Sequence, residues 1–125
     1  MFILRIRSRQ DFEKVYKNKD EVYCTSSIIL YRNKTDKKYI SKTNKDFVRI
    51  GFTVSKKISK KAVERNFTKR RLREAFNKVQ KNILENHMDY VIVARKNILD
   101  IGFLDLISDI EKCLLKKSEK FKKLY

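Results

Sequence analysis

The segment from Ser55 to Phe76 concentrates charged side chains that could bind an anion. It holds nine lysines and arginines and only two acids, Glu64 and Glu74. A solvated helix face normally balances its cations with glutamates one turn away, so this imbalance favours a docking surface. Arginine can bridge two phosphate oxygens with its planar guanidinium, while lysine acts as a mobile point charge. The segment therefore predicts contact with the phosphates of a folded nucleic acid.

A long helix from Ala62 to about Glu85 is expected to position these cations. Its predicted buried stripe, at helical spacing, is formed by Thr68, Leu72, Ala75, Phe76, Val79 and Ile83. The opposite side bears Asn66, Lys69, Arg70 and Arg73, with Arg65 at its edge, and the lysines that extend the patch before the helix are Lys56, Lys57, Lys60 and Lys61. The amide of Asn66 could read a base edge or a ribose 2′-hydroxyl.

The whole chain is strongly basic. Its 125 residues carry 32 lysines and arginines against 15 acids, a formal net charge of +17. Such an excess favours a polyanionic partner, with an anionic membrane surface as the main competitor of nucleic acid. No apolar run approaches the ~18 residues of a membrane-spanning helix, and arginines interrupt the N-terminal segment too often for a signal peptide. We expect a cytoplasmic protein.

Few other side chains suggest catalysis. Cys24 and Cys113 match no metal-ligand spacing, His87 is the single histidine, and we expect two reduced, partly buried thiols. Neither a Ser-His-Asp arrangement nor a phosphate-binding glycine loop is present in the sequence. Asp105 and Asp109, one helical turn apart, could hold a magnesium ion, but acids early in a helix more often balance its dipole. We therefore expect no stand-alone active site.

The remaining elements give the order α, β, β, α, β, α. Ser8 is a candidate cap for a helix from Arg9 to Lys19, and β-branched and aromatic residues predict a strand from Val22 to Tyr31. Further predicted features are a polar exposed loop at 33–46, a strand over 47–54, a strand over 89–95, a helix over 103–115 and a basic tail at 118–125. This pattern predicts one α+β domain, a two-layer sandwich in which helices pack on a small mixed sheet, with one extra strand as an alternative.

Three aromatic residues near the basic region are candidates for stacking on unpaired bases. They are Phe12 and Tyr16, on the first helix, and Tyr31, at the predicted end of a strand. Base stacking contributes roughly 1 to 3 kcal/mol per base and depends little on sequence. Ordinary core packing is the alternative for each of them. Tyr16 is the best stacking candidate, because its hydroxyl tolerates a wet groove.

Four segments in order resemble the protein subunit of bacterial ribonuclease P. They are DFEKVY from Asp11, RIGFTVSKK from Arg49, AVERNFTKRRLREAF from Ala62 and DYVIVARK from Asp89. The resemblance implies a left-handed β-α-β crossover, an exception to the general rule. It also implies that a partner RNA, using bound magnesium ions, removes the 5′ leader from precursor tRNA while the protein assists. No membrane or DNA partner is expected.

The resemblance also assigns roles to residues. It implies that the catalytic RNA docks on Arg65, Asn66, Lys69, Arg70 and Arg73, with Lys56 and Lys57 matching basic residues at the strand end, and that the single-stranded leader enters a cleft at Phe12, Tyr16 and Tyr31. Phe67 departs from the family pattern, where an arginine is usual. It could stack on a base or pack under the loop carrying Lys60. A ribosomal or other structural RNA-binding protein and a self-sufficient metal nuclease are the alternative functions.

Overall fold

The computed structural model describes residues 1–18 and 21–117, together with the backbone of 119–120. The rest of the predicted basic tail at 118–125 lies outside the described residues. The strands are β1 (Phe2–Arg5), β2 (Val22–Cys24), β3 (Ile28–Lys34), β4 (Phe47–Thr53), β5 (Met88–Ala94) and β6 (Glu119–Lys120). The α-helices are α1 (Arg9–Lys17), α2 (Lys37–Ile40), α3 (Ala62–Lys78) and α4 (Phe103–Leu114). Short 3₁₀ helices cover Lys81–Ile83 and Lys96–Leu99.

The described strands form one mixed sheet in the order β1-β4-β5-β3-β2-β6. The pairs β1/β4 and β4/β5 are parallel, and β5/β3, β3/β2 and β2/β6 are antiparallel. Since α3 connects the parallel neighbours β4 and β5, the predicted β-α-β unit is present. The left hand of that crossover stays a prediction.

The two faces of the sheet carry different helices. Tyr90 and Ile92 of β5 belong to the main core, which packs against α3 and α4, whereas Val91 between them packs against Val15 of α1. Because successive side chains of a strand point to opposite faces, α1 lies across the face opposite α3 and α4. The expected α+β class with a mixed sheet is confirmed, and the sheet with α3 and α4 forms its two main layers.

Two predicted strand assignments required correction. The segment predicted as one strand from Val22 to Tyr31 is a hairpin, because the Thr25 amide donates to the Ile28 carbonyl at 3.0 Å and turns the chain between β2 and β3. Tyr31 consequently lies in the middle of β3, opposite Val91. The sequence allowed one extra strand, but the described sheet has two strands outside the predicted segments. They are β1, beside β4, and β6, beside β2, one at each edge of the sheet.

The loop predicted at 33–46 is partly structured. Strand β3 continues to Lys34, and Asp36 caps α2 by accepting a hydrogen bond from the Lys38 amide at 3.1 Å. Thr35 is buried, and Tyr39 is half-buried. The prediction of an exposed loop is wrong for this part because long-range contacts with α1, described below, hold α2 down.

The central helix is shorter than predicted. It ends at Lys78, and Val79 already has an extended backbone, with φ −67° and ψ 143°. At about 100° per residue, an unbroken helix would place Leu84 on the exposed side with Asn66 and Asn77. The break instead lets Leu84 join the main core.

Candidate nucleic-acid interface

Helix α3 packs on the sheet through the predicted stripe. Thr68, Leu72, Ala75 and Phe76 are all buried. On the opposite side, Asn66 and Arg70 are exposed, while Lys69 and Arg73 are half-buried along the flank. The sequence periodicity therefore identified the outward side of the helix correctly, and burial of one stripe fixes the orientation of the basic residues.

The cations of this region lack acidic partners. Within the described parts of the chain, both partners of every ion pair lie outside 55–76, as in Arg49 with Asp11 and Lys14 with Asp36. Uncompensated charge on one side of a helix repels itself, so binding of an anion there is favoured. We refer to Lys56, Lys57, Lys60, Lys61, Arg65, Asn66, Lys69, Arg70 and Arg73 as the basic surface.

Arg65 anchors the loop that precedes the helix. Its guanidinium Nη1 donates to the backbone carbonyls of Ser59 at 3.0 Å and Lys60 at 2.8 Å. The loop lysines Lys60 and Lys61 are thereby held beside the first turn of α3. Arg65 thus shapes the basic surface with one nitrogen, and its other guanidinium N–H groups can still reach a phosphate.

Arg71 has a structural role that the sequence did not reveal. Its Nη1 donates to the Ile98 carbonyl at 3.0 Å, and its Nη2 donates to the Ile101 carbonyl. These bonds join α3 to the segment before α4. Arg71 lies in a run of basic residues, and its charge alone does not distinguish it from its neighbour Arg70, which makes no such bond to the described residues.

Arg73 lies where α3 meets the sheet. Its guanidinium carbon is 5.9 Å from the centre of the Phe52 ring, and its Nε is buried without a hydrogen-bond partner among the described residues. With Arg5 of the edge strand, it borders a cavity of about 160 Å³ that Phe52 and Phe76 also line. Two cations beside an apolar hollow extend the basic surface towards β1.

The three predicted aromatic residues lie together on the other face of the sheet. Phe12, Tyr16 and Tyr31 are half-buried and pack, with Val93, on the small core formed by Ile6, Val15 and Val91. The rings of Tyr16 and Tyr31 meet edge to face with centroids 4.9 Å apart, and Phe12 lies 6.4 Å from Tyr16. We call Phe12, Tyr16 and Tyr31 the aromatic cleft. Each ring both packs on this core and leaves part of its surface open to a ligand.

Tyr16 is fixed in this cleft by a polar contact. Its hydroxyl lies 3.0 Å from Thr53 Oγ1, within hydrogen-bond distance, at the end of β4. The ring is therefore oriented before any ligand arrives, which reduces the entropy lost on binding. Thr53 precedes Lys56 by only three residues, so the end of β4 connects the aromatic cleft to the basic surface.

A buried charge cluster lies beside the cleft, under α2. Arg49 Nη2 donates to Asp11 Oδ2 at 2.8 Å, Arg49 Nη1 lies 3.5 Å from Asp89 Oδ2, and the Tyr39 hydroxyl donates to Asp11 at 2.8 Å. The Tyr39 ring stacks 4.2 Å from the Arg49 guanidinium carbon. Asp11 of α1 and Tyr39 of α2 cover Arg49 on its face of the sheet.

The pKa values of the two carboxylates in this cluster are shifted in opposite directions. Burial by itself would raise the pKa of Asp11, but hydrogen bonds from Arg49 and Tyr39 outweigh it and lower that pKa from 3.8 to about 2. For Asp89, burial dominates and raises the pKa, although Thr35 Oγ1 donates to it at 2.7 Å. The hydrogen bonds and ion pairs of the cluster join α1, β4, β5 and α2.

Asp105 and Asp109, considered from the sequence as magnesium ligands, do not form a metal site with other described residues. Asp109 accepts a hydrogen bond from Ser27 Oγ at 2.6 Å, and Asp105 is exposed in the first turn of α4. Among the described residues, no three His, Cys, Asp or Glu side chains are grouped closely enough to hold a metal ion. The same part of the chain contains no helix long and apolar enough to span a bilayer.

Comparison with known proteins identifies the family. A family model described as ribonuclease P matches residues 3–119, nearly the whole chain. The chain belongs to the ribonuclease P protein family. It is similar to the ribonuclease P protein component of Alkaliphilus oremlandii, with 34% identity over 115 residues, covering 92% of this chain and 90% of the relative. The corresponding protein of Macrococcus caseolyticus is 39% identical over 92 residues, or 74% of this chain and 70% of that one.

The fold of this ribonuclease P protein agrees with a solved structure. The Staphylococcus aureus RNase P protein superimposes with a TM-score of 0.68 and 29% identity, covering 94% of this chain and 97% of that one. The resemblance inferred from the four sequence segments is therefore confirmed, as is the α+β fold class. Phe67, where the family pattern usually has arginine, is 61% exposed and so is not packed beneath the loop that carries Lys60.

Proposed function

We propose that this chain, a ribonuclease P protein subunit acting in tRNA 5′ processing, binds the catalytic RNA through its basic surface and the leader of precursor tRNA through its aromatic cleft. The observation that supports the proposal is the presence of two chemically different surfaces on one domain. One surface is uncompensated positive charge on α3, and the other is a set of half-open aromatic rings on the opposite sheet face. The short segment from Thr53, at the end of β4, to Lys56 links the two surfaces along the chain.

The basic surface supports a role in assembly. Catalytic RNA and precursor tRNA are both polyanions, and their mutual repulsion opposes complex formation. A chain with a net charge of +17 between them lowers that repulsion and releases counterions from the phosphates. The same neutralisation would let magnesium ions occupy RNA sites at lower concentration. We assign these ions, and the cleavage chemistry, mainly to the RNA.

The aromatic cleft supports a role in substrate choice. A single-stranded leader exposes the flat faces of its bases, and the Tyr16 and Tyr31 rings offer apolar surface for them to stack on. Mature tRNA has lost the leader and cannot make these contacts. The cleft would therefore favour substrate over product without any chemistry by the protein. The substrate implies a cytoplasmic location, which stays a prediction.

The test is the affinity of the assembled enzyme for tRNA with and without a leader. Filter binding in calcium, to suppress cleavage, would compare precursor and mature forms of the same tRNA, using the RNA subunit alone as the reference. We expect the protein to increase the preference for precursor by roughly tenfold, the scale of one stacked base. If the protein strengthened binding of precursor and mature tRNA equally, the result would instead indicate a structural RNA-binding protein.

A further inference from the structure

An apolar patch lies in the middle of the basic surface. Phe67 is 61% exposed, and Val63, one turn earlier on α3, is 83% exposed. Residues four apart lie on the same side of a helix, so these two side chains form one continuous patch. Core packing does not account for either side chain, because most of the surface of each is exposed.

The surroundings of the patch are polar groups able to bind a nucleotide. Asn66 is adjacent to Phe67, and Arg70 lies one turn further along the same side. Both side chains are exposed, and neither forms a hydrogen bond or ion pair with the residues that the structure describes. An apolar plane is thus bordered by an uncommitted amide and an uncommitted guanidinium.

We propose that Phe67 stacks on an unpaired base of the RNA bound by α3, with Arg70 on a neighbouring phosphate. The inference rests on the proposed function, since it deepens how the basic surface recognises RNA. Charge complementarity selects this occupant: Phe67 lies on α3 between Arg65 and Arg70, and a second copy of a chain with net charge +17 would bring like charges together. An RNA loop supplies both negative phosphates and flat apolar base faces.

Stacking by Phe67 has a consequence that a phosphate contact lacks. An ion pair with phosphate releases counterions and weakens as salt rises, whereas stacking releases none. The Phe67 contribution to RNA affinity is therefore independent of salt concentration. It would also depend on the flat ring, because an aliphatic side chain of similar area cannot cover a base face in the same way.

The experiment measures binding of the cognate RNA subunit transcript by fluorescence-detected titration at several salt concentrations. Phe67→Ala should weaken binding by about five- to 150-fold, the range for one lost stacked base, with the slope of log affinity against log salt unchanged. Phe67→Leu should show most of that loss, and Phe67→Tyr should bind like the wild type. Leu104→Ala is the matched control, because Leu104 is an 81% exposed apolar residue that lies on α4 and is not part of the basic surface.

Each contrary result has a distinct meaning. Wild-type affinity in Phe67→Ala or in Phe67→Leu would overturn the stacking assignment while leaving the proposed function intact. Self-association of the wild type that is lost in Phe67→Ala, detected by analytical ultracentrifugation, would show that the patch is a contact between copies. Failure of the wild type to bind the RNA would instead contradict the proposed function. Because Phe67 is exposed, all variants should retain the wild-type thermal midpoint.

Discussion

The ring of Phe12 lies directly against Gly51, so closely that a Cβ at Gly51 would stand 2.5 Å from Phe12 Cε1. A glycine in β4 therefore lets α1 approach the sheet and forms the floor of the aromatic cleft. Since neither φ at Gly51 nor its strand pairing is unusual, space rather than backbone freedom requires glycine here.

We expect Gly51→Ala to displace the Phe12 ring, because the added methyl would meet the tip of that ring. The added methyl should lower the free energy of unfolding by about 1–3 kcal/mol, the usual cost of overpacking a core. It should also weaken binding of leader-bearing tRNA more than binding of mature tRNA, because the Phe12 ring is part of the aromatic cleft. Urea unfolding and filter binding would measure the two effects. The double variant Gly51→Ala with Phe12→Leu, which makes room for the methyl, should recover stability; no recovery would contradict this packing.

Tyr16 offers a test of the cleft through two matched substitutions. Tyr16→Ala removes the ring and should reduce affinity for precursor tRNA by about tenfold, while affinity for mature tRNA and for the RNA subunit stays unchanged. Tyr16→Phe loses only the contact with Thr53 and should retain most of the preference. If Tyr16→Ala weakened precursor and mature tRNA equally, the leader would not lie in this cleft.

Arg70 and Arg71 are neighbours in sequence but should behave differently. Arg70→Ala should reduce the slope of log affinity against log salt for RNA by about one, because one phosphate contact is lost, and should leave stability unchanged. Arg71→Ala should lower the free energy of unfolding by about 1–3 kcal/mol, since its donors hold the Ile98 and Ile101 carbonyls. Salt titrations and urea unfolding of both variants would check this. Identical behaviour of the two variants would contradict it.

The Asp11 carboxylate should make the protein sensitive to acid. Its pKa is about 2 in the folded state and near 3.8 when unfolded, so its contribution of about 2 kcal/mol is full above pH 4 and is lost as the pH falls towards 2. Asp89 acts in the opposite direction, because burial raises its pKa and protonation then favours the folded state. Urea unfolding between pH 5 and pH 2.5 should show a smaller loss of stability for Asp11→Asn than for the wild type.

One result for Asp11→Asn would contradict this prediction. A variant that lost stability with the same slope as the wild type would show that Asp11 is not held ionised by Arg49 and Tyr39. Asp89→Asn is the matched control, because it changes a second carboxylate of the same cluster whose pKa is shifted the other way. Its loss of stability in acid should be at least as large as that of the wild type.

The spacing of apolar residues along the sequence predicted the helix and the strand that position the candidate site. The helical spacing of Leu72 and Phe76 identified the buried stripe of α3, and the apolar run at 89–95 identified the strand β5. Both signals arise from neighbours within one element. They therefore required no knowledge of the tertiary structure.

The features that the sequence did not reveal depend on partners far along the chain. Arg49 is buried because Asp11 meets it from 38 residues away, and Arg71 binds carbonyls 27 and 30 residues further on. Neither pairing leaves a periodic signal. Whether the loop carrying Lys60 covers Phe67 likewise depends on the path of that loop, which no periodic pattern in the sequence shows.

Cleavage of a leader-bearing precursor tRNA at low magnesium concentration tests the central claim most directly. Three reactions would be compared: the protein alone, the cognate RNA subunit alone, and the two together. We predict accurate removal of the leader only in the mixture, with cleavage by the RNA alone appearing as magnesium is raised. Cleavage by the protein alone would contradict the assignment of the chemistry to RNA, and a mixture no more active than the RNA alone would contradict the assisting role.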